Sequence, residues 1–547
     1  MWRVCVRICK DLIFSNAFVN PLIKIAVMKR LEQILRIKKE QLWNVVIVGG
    51  GATGLGIAVD CATRGYKTLL LERSDFAKST SSRSTKLLHG GVRYLAQGNI
   101  PLVYEALHER SLLIRNAPHL CKPQAFVIPT TSIFSAFYYT IGLRIYDYMA
   151  GRLSLGKTRY LNREEVRKSL SGIKDLKMQA GVCYYDGQFD DARLGLSLAR
   201  TAVENQACLI NYMRVNQLLK NKEGKICGVE IEDVLEPSFK QQIYSQCVIN
   251  ATGVFSNEIN QMDKDDSSSL VISQGIHLVF DAKILPNDNA LMVPKTSDGR
   301  VLFAIPWHHK LIVGTTDTQI QNVAYEPLPL EEEIDFLLKT LNEYTTRKVN
   351  REDILSIFVG LRPLIKQKNK ASKNVSRSHK IHISESQLIS INGGKWTTYR
   401  KMAEETIDFA IAKKLLPYQP CITKELPLYG YLNNRDFKDR LCVYGSDYRA
   451  ILELEQKEAQ LAQKIHPNYP YTYAQVLWAL EYEMAETLED VLSRRIRLLF
   501  LDAKASNEIA KEVGIFIGKY KNWSKKRLEK EIEDFKNLTK QYCIKGV

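Results

Sequence analysis

Hydrophobic and polar positions follow two different periods along most of this chain, and a third texture takes over towards its end. Residues 45–48 (Val-Val-Ile-Val) form an uninterrupted β-branched run, the pattern of a strand buried on both faces. Residues 68–71 repeat that character, and residues 53–64 between them read as a helix ending before Gly65. Residues 112–190 are mixed. Within them the aromatic-rich stretch 134–148 predicts a helix, its aromatic stripe read as core in preference to lipid contact. Helical spacing returns at 190–204, through Leu194, Leu196, Leu198, Ala199 and Ala202, and strands follow near 208–212, 226–232 and 246–251. Residues 270–320 alternate like antiparallel strands. Beyond Pro420 the strand-like runs stop, and helices are predicted at 448–465, 473–486, 488–502 and 525–540.

Strands interleaved with helices, then helices alone, imply an α/β fold. The expected fold is a Rossmann-like nucleotide domain interleaved with a sheet-based substrate domain, plus an all-helical C-terminal domain. The boundaries read from texture are an N-terminal extension at 1–42, the interleaved pair at 43–420 and the helical domain at 421–547. The substrate parts fall at roughly 112–190 and 266–358.

Composition narrows the class. With 45% hydrophobic and 25% charged residues, the 547-residue chain is long enough for two to four domains. A net charge of +17 favours anionic partners: phosphorylated substrates, acidic lipid surfaces or nucleic acid. The eleven cysteines include no CxxC pair and fit a reducing compartment. No apolar run is long enough to span a membrane as a helix, so any membrane contact is expected to be peripheral. Residues 1–27 mix Arg3, Arg7 and Lys10 with apolar positions and lack a cleavage signature. They read as an interfacial or targeting segment or as an extension without function, the latter being favoured with Met28 as the start. No metal site is expected, since neither the histidines nor the cysteines show ligand spacing.

Candidate chemistry begins directly after the first strand. Gly49-x-Gly51-x-x-Gly54 opens the helix, and Glu72 closes the second strand eighteen residues beyond Gly54. In that setting Gly49 permits a tight turn, Gly51 admits a pyrophosphate and Gly54 lets helix and strand pack closely. The helix N-terminus faces the phosphates and Glu72 the ribose hydroxyls. Four further stretches are dense in functional groups. The first, Thr80 to Leu95, supplies hydroxyls at Thr80, Ser81 and Ser82, then His89, Arg93 and Tyr94. Asn250-Ala251-Thr252-Gly253 is a small-residue turn where backbone can lie against a planar cofactor. Arg362 stands immediately before Pro363. Gly393-Gly394-Lys395-Trp396-Thr397-Thr398 leads into another helix.

Taken together, VVIVGGGATGLGIAVDCATRG, TSSRSTKLLHGGVRYL, YYDGQFDDARL, NATG, GTTD, LRPL and GGKWTTYRKMA resemble the FAD-dependent glycerol-3-phosphate dehydrogenases. The similarity runs in order from about residue 44 to residue 402, and residues 494–506 resemble that family's helical C-terminal domain. Residues 1–30 have no counterpart. The resemblance implies FAD as cofactor and oxidation of sn-glycerol 3-phosphate to dihydroxyacetone phosphate, with electrons passed to a quinone or similar acceptor. It also implies a cytoplasmic protein held peripherally at the inner face of a membrane, with a homodimer as a further possibility.

On that reading a phosphate dianion needs cations. Arg93, Arg362 and Arg377 are the candidates, with Tyr94 adding a hydroxyl. Arg362 has the alternative of bonding neighbouring carbonyls. His89 is the candidate base, its alternative being to shape the Gly90-Gly91 turn. Lys395, or the helix start after it, would stabilise negative charge on reduced flavin, and Lys395 has substrate phosphate as its other use. The cofactor set is therefore Gly49, Gly51, Gly54, Glu72, Thr80, Ser81, Ser82, Thr252, Gly253, Gly394, Lys395 and Thr397. Asp317 is expected to be structural. A glycerol-3-phosphate oxidase is the nearest alternative, and the absence of an obvious insertion between 250 and 393 weighs against it. A nucleic-acid-binding flavoprotein is disfavoured, because no basic stretch carries interleaved stacking aromatics.

Overall fold

In the computed structural model, Val45, Val46 and Ile47 lie fully buried at the centre of a sheet. Burying each side chain is worth about 1.5–3 kcal/mol. The model describes residues 28–92, 99–175, 178–265, 270–296, 299–365, 379–433 and 436–544. Residues 1–27, Arg93, Tyr94 and Arg377 lie outside these.

The strand Leu42–Val48 pairs in parallel with Thr68–Leu71 on one side and Lys240–Asn250 on the other. Cys208–Ile210 extends the sheet beyond Thr68–Leu71, and Ile389–Gly393 extends it beyond Lys240–Asn250. Consecutive elements thus leave the central strand in opposite directions. This creates a crevice at the carboxyl ends of Leu42–Val48 and Lys240–Asn250, the usual ligand position in such sheets. Helix Ala52–Thr63 covers one face, packed with helices Asp191–Glu204 and Tyr399–Ala412 in one apolar cluster. Gly56 makes the second crossing possible, because a Cβ there would come within 2.7 Å of the Tyr399 ring.

A second, largely antiparallel sheet draws strands from residues 87–189 and 270–365. Its spine is Leu270–Asp281, paired with Ser356–Ile365 and Lys310–Gly314. The helical C-terminal part packs against this sheet, with Val279, Trp307, Ile312 and Phe358 sharing a core with Val476, Leu492 and Phe500. The fold is therefore the expected one: a nucleotide-binding α/β unit, an interleaved sheet unit and a helical C-terminal unit.

Three local readings change, the first being that the helix predicted at 448–465 ends at Lys457. The helix Ile133–Ala150 forms, but its core face is Ala136, Thr140, Leu143, Tyr146 and Ala150. Helical spacing turns the aromatic stripe outward, leaving Phe134 and Tyr148 each 86% exposed and Tyr138 72% exposed. The expectation that this stripe is core is overturned. The helix predicted at 488–502 is broken into a π-helical turn, Asp490–Arg495, and a short helix, Leu498–Leu501, with Arg497 left-handed at φ 69° between them.

Candidate active site

The crevice opens into a cavity of about 440 Å³. It is lined by Glu72 and Met213–Asn216, by Gly49, Gly51, Ala52, Thr252 and Gly253, and by Lys78–Ser81, Pro363 and Gly393–Trp396. Gly49 adopts φ 110°, and a Cβ there would approach the Ala251 carbonyl to 2.7 Å. A Cβ on Gly54 would sit 1.8 Å from the Gly49 carbonyl oxygen, so helix and turn touch through bare backbone. The helix Ala52–Thr63 starts at Gly51, which offers no side-chain cap of its own; Ser81 Oγ takes the Ala52 amide, and the positive end of the helix borders the cavity. Glu72 Oε2 accepts from Gly50 N at 2.7 Å and Oε1 from Ser74 N at 2.7 Å. Burial pushes this carboxyl up, and those two backbone bonds pull it back. A carboxylate with about four acceptor sites retains capacity for ribose hydroxyls. Glycine backbone, a helix start and a half-buried acid in this order fit FAD.

Of the candidate cofactor residues, Gly49, Gly51, Glu72, Thr80, Ser81, Thr252, Gly253, Gly394 and Lys395 line the cavity. Gly54 acts through packing. Ser82 and Thr397 are buried and are not among the lining residues. Two bonds tie parts of the lining to neighbouring segments: Trp396 Nε1 donates to the Ser81 carbonyl at 2.9 Å, and Thr80 Oγ1 donates to the Leu361 carbonyl at 2.7 Å.

That second bond reaches the strand carrying Arg362. Its guanidinium donates to the Gln274 carbonyl (3.3 Å) and to Thr315 Oγ1 (2.9 Å), and lies 3.6 Å from Asp317. The missing side chain of Gly275 provides the room, since a Cβ there would stand 2.1 Å from Arg362 Nη2. Asp317 also accepts from Ser273 Oγ, as a structural carboxylate would. His89 is half-buried beside the Gly90-Gly91 turn. Gly90 N donates to the Tyr146 hydroxyl at 2.9 Å, anchoring that turn on the inner face of Ile133–Ala150.

Sequence reasoning missed His277. It sits two positions along the strand from Gly275, stacked on Phe358 with ring centroids 4.7 Å apart, and Nε2 meets Thr85 Oγ1 at 2.9 Å. Burial, then Lys86 and Arg362, drive its pKa well below the ordinary value, so the ring is held neutral and its protonated form is disfavoured. A histidine at an inward position of an alternating strand, two residues after a glycine, was the available signal. Arg73 was missed too: its guanidinium lies 4.2 Å from the Tyr325 ring and 5.1 Å from that of Phe255 at the cavity edge.

A family model described as FAD dependent oxidoreductase matches residues 44–399, and one described as the C-terminal domain of alpha-glycerophosphate oxidase matches residues 384–528. The chain is 35% identical to the mitochondrial glycerol-3-phosphate dehydrogenase of Saccharomyces cerevisiae, over 94% of this chain and 92% of that protein. It is 38% identical to the Bos taurus protein of the same name, over 92% of this chain and 74% of that one. Among solved structures, the glycerol-3-phosphate dehydrogenase from Bacillus halodurans complexed with FAD aligns with a TM-score of 0.77 at 28% identity, covering 95% of this chain and 98% of that one. The L-alpha-glycerophosphate oxidase of Mycoplasma pneumoniae, at 18% identity and a TM-score of 0.54, shares the fold.

Proposed function

Since this chain belongs to the FAD-dependent glycerol-3-phosphate dehydrogenases, we propose that it oxidises sn-glycerol 3-phosphate to dihydroxyacetone phosphate and passes the electrons to a quinone or similar acceptor. The observation that carries this reading is one cavity running from a dinucleotide-type glycine turn to Lys395 and Pro363, beside the buttressed guanidinium of Arg362. FAD supplies the hydride acceptor when bound. The chain's own residues do the rest. Arg362, with Arg93 and Arg377, neutralises the substrate phosphate, and Tyr94 adds a hydroxyl. His89 is the imidazole for the hydroxyl proton, and Lys395 holds positive charge at the flavin end. The units we assign are 1–42, 43–420 with substrate parts at 112–190 and 266–358, and 421–547.

The test is an anaerobic visible spectrum of the purified protein with glycerol 3-phosphate. A flavin band that bleaches supports the assignment, and one that stays oxidised overturns it. Restoration by a soluble quinone rather than by air separates dehydrogenase from oxidase.

We also propose that the enzyme works peripherally at a membrane. No helix among the described residues is long and apolar enough to cross one. The outward face of Ile133–Ala150 exposes Phe134, Phe137, Tyr138, Ile141, Ile145 and Tyr148, with Ile100 and Tyr104 exposed on the neighbouring helix. Arg144, Arg152 and Lys157 are exposed around them, the mixture an anionic lipid interface favours. In a bacterial cell that surface would be the cytoplasmic inner face. Replacing Phe134, Tyr138 and Tyr148 with serine is expected to lower binding to anionic phospholipid vesicles at least about tenfold, judged by the apolar area withdrawn. If binding is unchanged and the triple variant instead splits a homodimer, the face belongs to that dimer.

A further inference from the structure

The run Arg494-Arg495-Ile496-Arg497 concentrates guanidiniums as an anion site would. All three are buried, however, and each is committed to the loop at residues 75–86, whose Lys78–Ser81 portion forms one wall of the cavity. Arg494 and Arg495 both donate to the buried carboxylate of Asp75, three residues beyond Glu72. Arg494 also bonds Glu489 at 2.7 Å, and Glu489 pairs with Lys78 at 2.9 Å. Arg497 reaches the far end of the loop, donating to the Ser82 carbonyl at 3.0 Å and to Asp191 at 2.9 Å. Lys86 Nζ donates to the same two groups, at 2.7 and 2.6 Å.

The loop needs such support. Ala77, Ser79 and Lys86 all have left-handed backbones, with φ of 57°, 63° and 62°, which residues bearing a Cβ disfavour. Properly shaped, the loop sends Ser81 Oγ to the amide of Ala52 at 2.9 Å, at the first turn of the helix that borders the cavity. It also sends Thr80 to the strand of Arg362. The broken helix serves this purpose. The widened turn Asp490–Arg495 lets two adjacent arginines converge on one carboxylate, and the left-handed Arg497 turns the third towards Ser82.

We infer that Arg494, Arg495 and Arg497 are positioning residues for FAD, by which the docked C-terminal helical unit holds the cofactor-binding loop in its binding shape. The inference rests on the FAD reading of the cavity. It makes the helical unit part of the cofactor site without touching the cofactor.

The test titrates FAD into flavin-free full-length protein, alongside amide hydrogen exchange, for the wild type, Arg494→Gln and Glu489→Gln. Glu489 has the most exposed side chain of the lock, at 21%, and does not line the cavity, so the second variant guards against a misfolded first one. The expected result is at least a tenfold rise in the FAD dissociation constant, with protection lost at 75–86 but retained in Leu42–Val48 and in Ala510–Lys521. Arg494→Lys should recover part of the affinity. An unchanged dissociation constant in both variants overturns the lock, as does loss of protection throughout the molecule at the same rate as in the loop. Failure of the wild type to bind FAD would instead remove the reading beneath it.

Discussion

The glycine turn at residues 49–54 and the loop at residues 75–86 line the same cavity and hold their shapes by different means. The turn is defined by what its residues lack: backbone meets backbone at Gly49 and Gly54, where a single methyl group would collide. The loop is defined by what reaches it. Three of its non-glycine residues are left-handed, and its Asp75 is held by arginines 419 and 420 residues further along the chain. Burial pushes the Asp75 carboxyl up, but Arg495 and Arg494 outweigh that and hold it below the usual range. One wall is therefore set by local steric necessity, the other by long-range buried charge. Substitutions in the first should act through space, and those in the second through electrostatics and pH.

The largest effect is expected at Gly54. In Gly54→Val, a Cβ 1.8 Å from the Gly49 carbonyl oxygen must push helix and strand apart. Overpacking against rigid backbone sits at the upper end of its usual range, about 3 kcal/mol. Flavin per chain should fall to near zero, with a matching drop in unfolding midpoint by denaturant titration. If the variant retains its flavin, the turn is not held sterically and the contrast between the walls fails.

How far each wall was legible in the sequence follows from the same difference. Glycine spacing, the β-branched run and Glu72 advertise the turn because each is a local choice with one structural reason. The serines of the loop were read as cofactor ligands from composition alone. Yet Ser82 is buried and contributes its carbonyl to Arg497 and Lys86, a role no spacing rule encodes. The arginine run at 494–497 was visible, but its partners lie across the chain and the helix break that aims it has no glycine or proline to mark it. His277 escaped because its relation to Arg362 depends on two antiparallel strands in register. The exposed aromatic helix escaped for a simpler reason: hydrophobic spacing reports that a face is apolar, not what covers it.

An intermediate effect is expected at Lys86, fully buried among Trp307, Phe358 and Phe500. Burial lowers its pKa to about 7, Asp191 opposing and Arg497 assisting. The sign follows from proton counting. Between about pH 7 and the ordinary lysine value the unfolded chain keeps a proton that the folded chain has released, so stability rises with pH across that window. The slope from this one group is at most about 1.4 kcal/mol per pH unit. Lys86→Met, apolar and of similar length, should remove that contribution, so the difference between wild-type and variant unfolding free energies changes with pH over this range. A difference that stays constant would mean that Lys86 remains charged throughout, and the loop would then be held by a permanent ion pair.

The smallest effect is expected at Arg73, where the cavity's edge meets solvent. Its guanidinium stacks on Tyr325 and Phe255 and pairs with Glu258 at 2.6 Å, but the two charged side chains are 32% and 48% exposed. An exposed cation–π contact contributes about 0.5–1 kcal/mol, and a solvent-screened ion pair little more. Arg73→Ala should therefore weaken FAD binding by only about threefold, most of it as faster dissociation, since the lost stack borders the cofactor without forming its walls. A flavin dissociation rate raised a hundredfold or more would assign this edge a third holding principle. It would make the aromatic–guanidinium stack as necessary as the glycines, and the two-wall account of the cavity would have to be replaced.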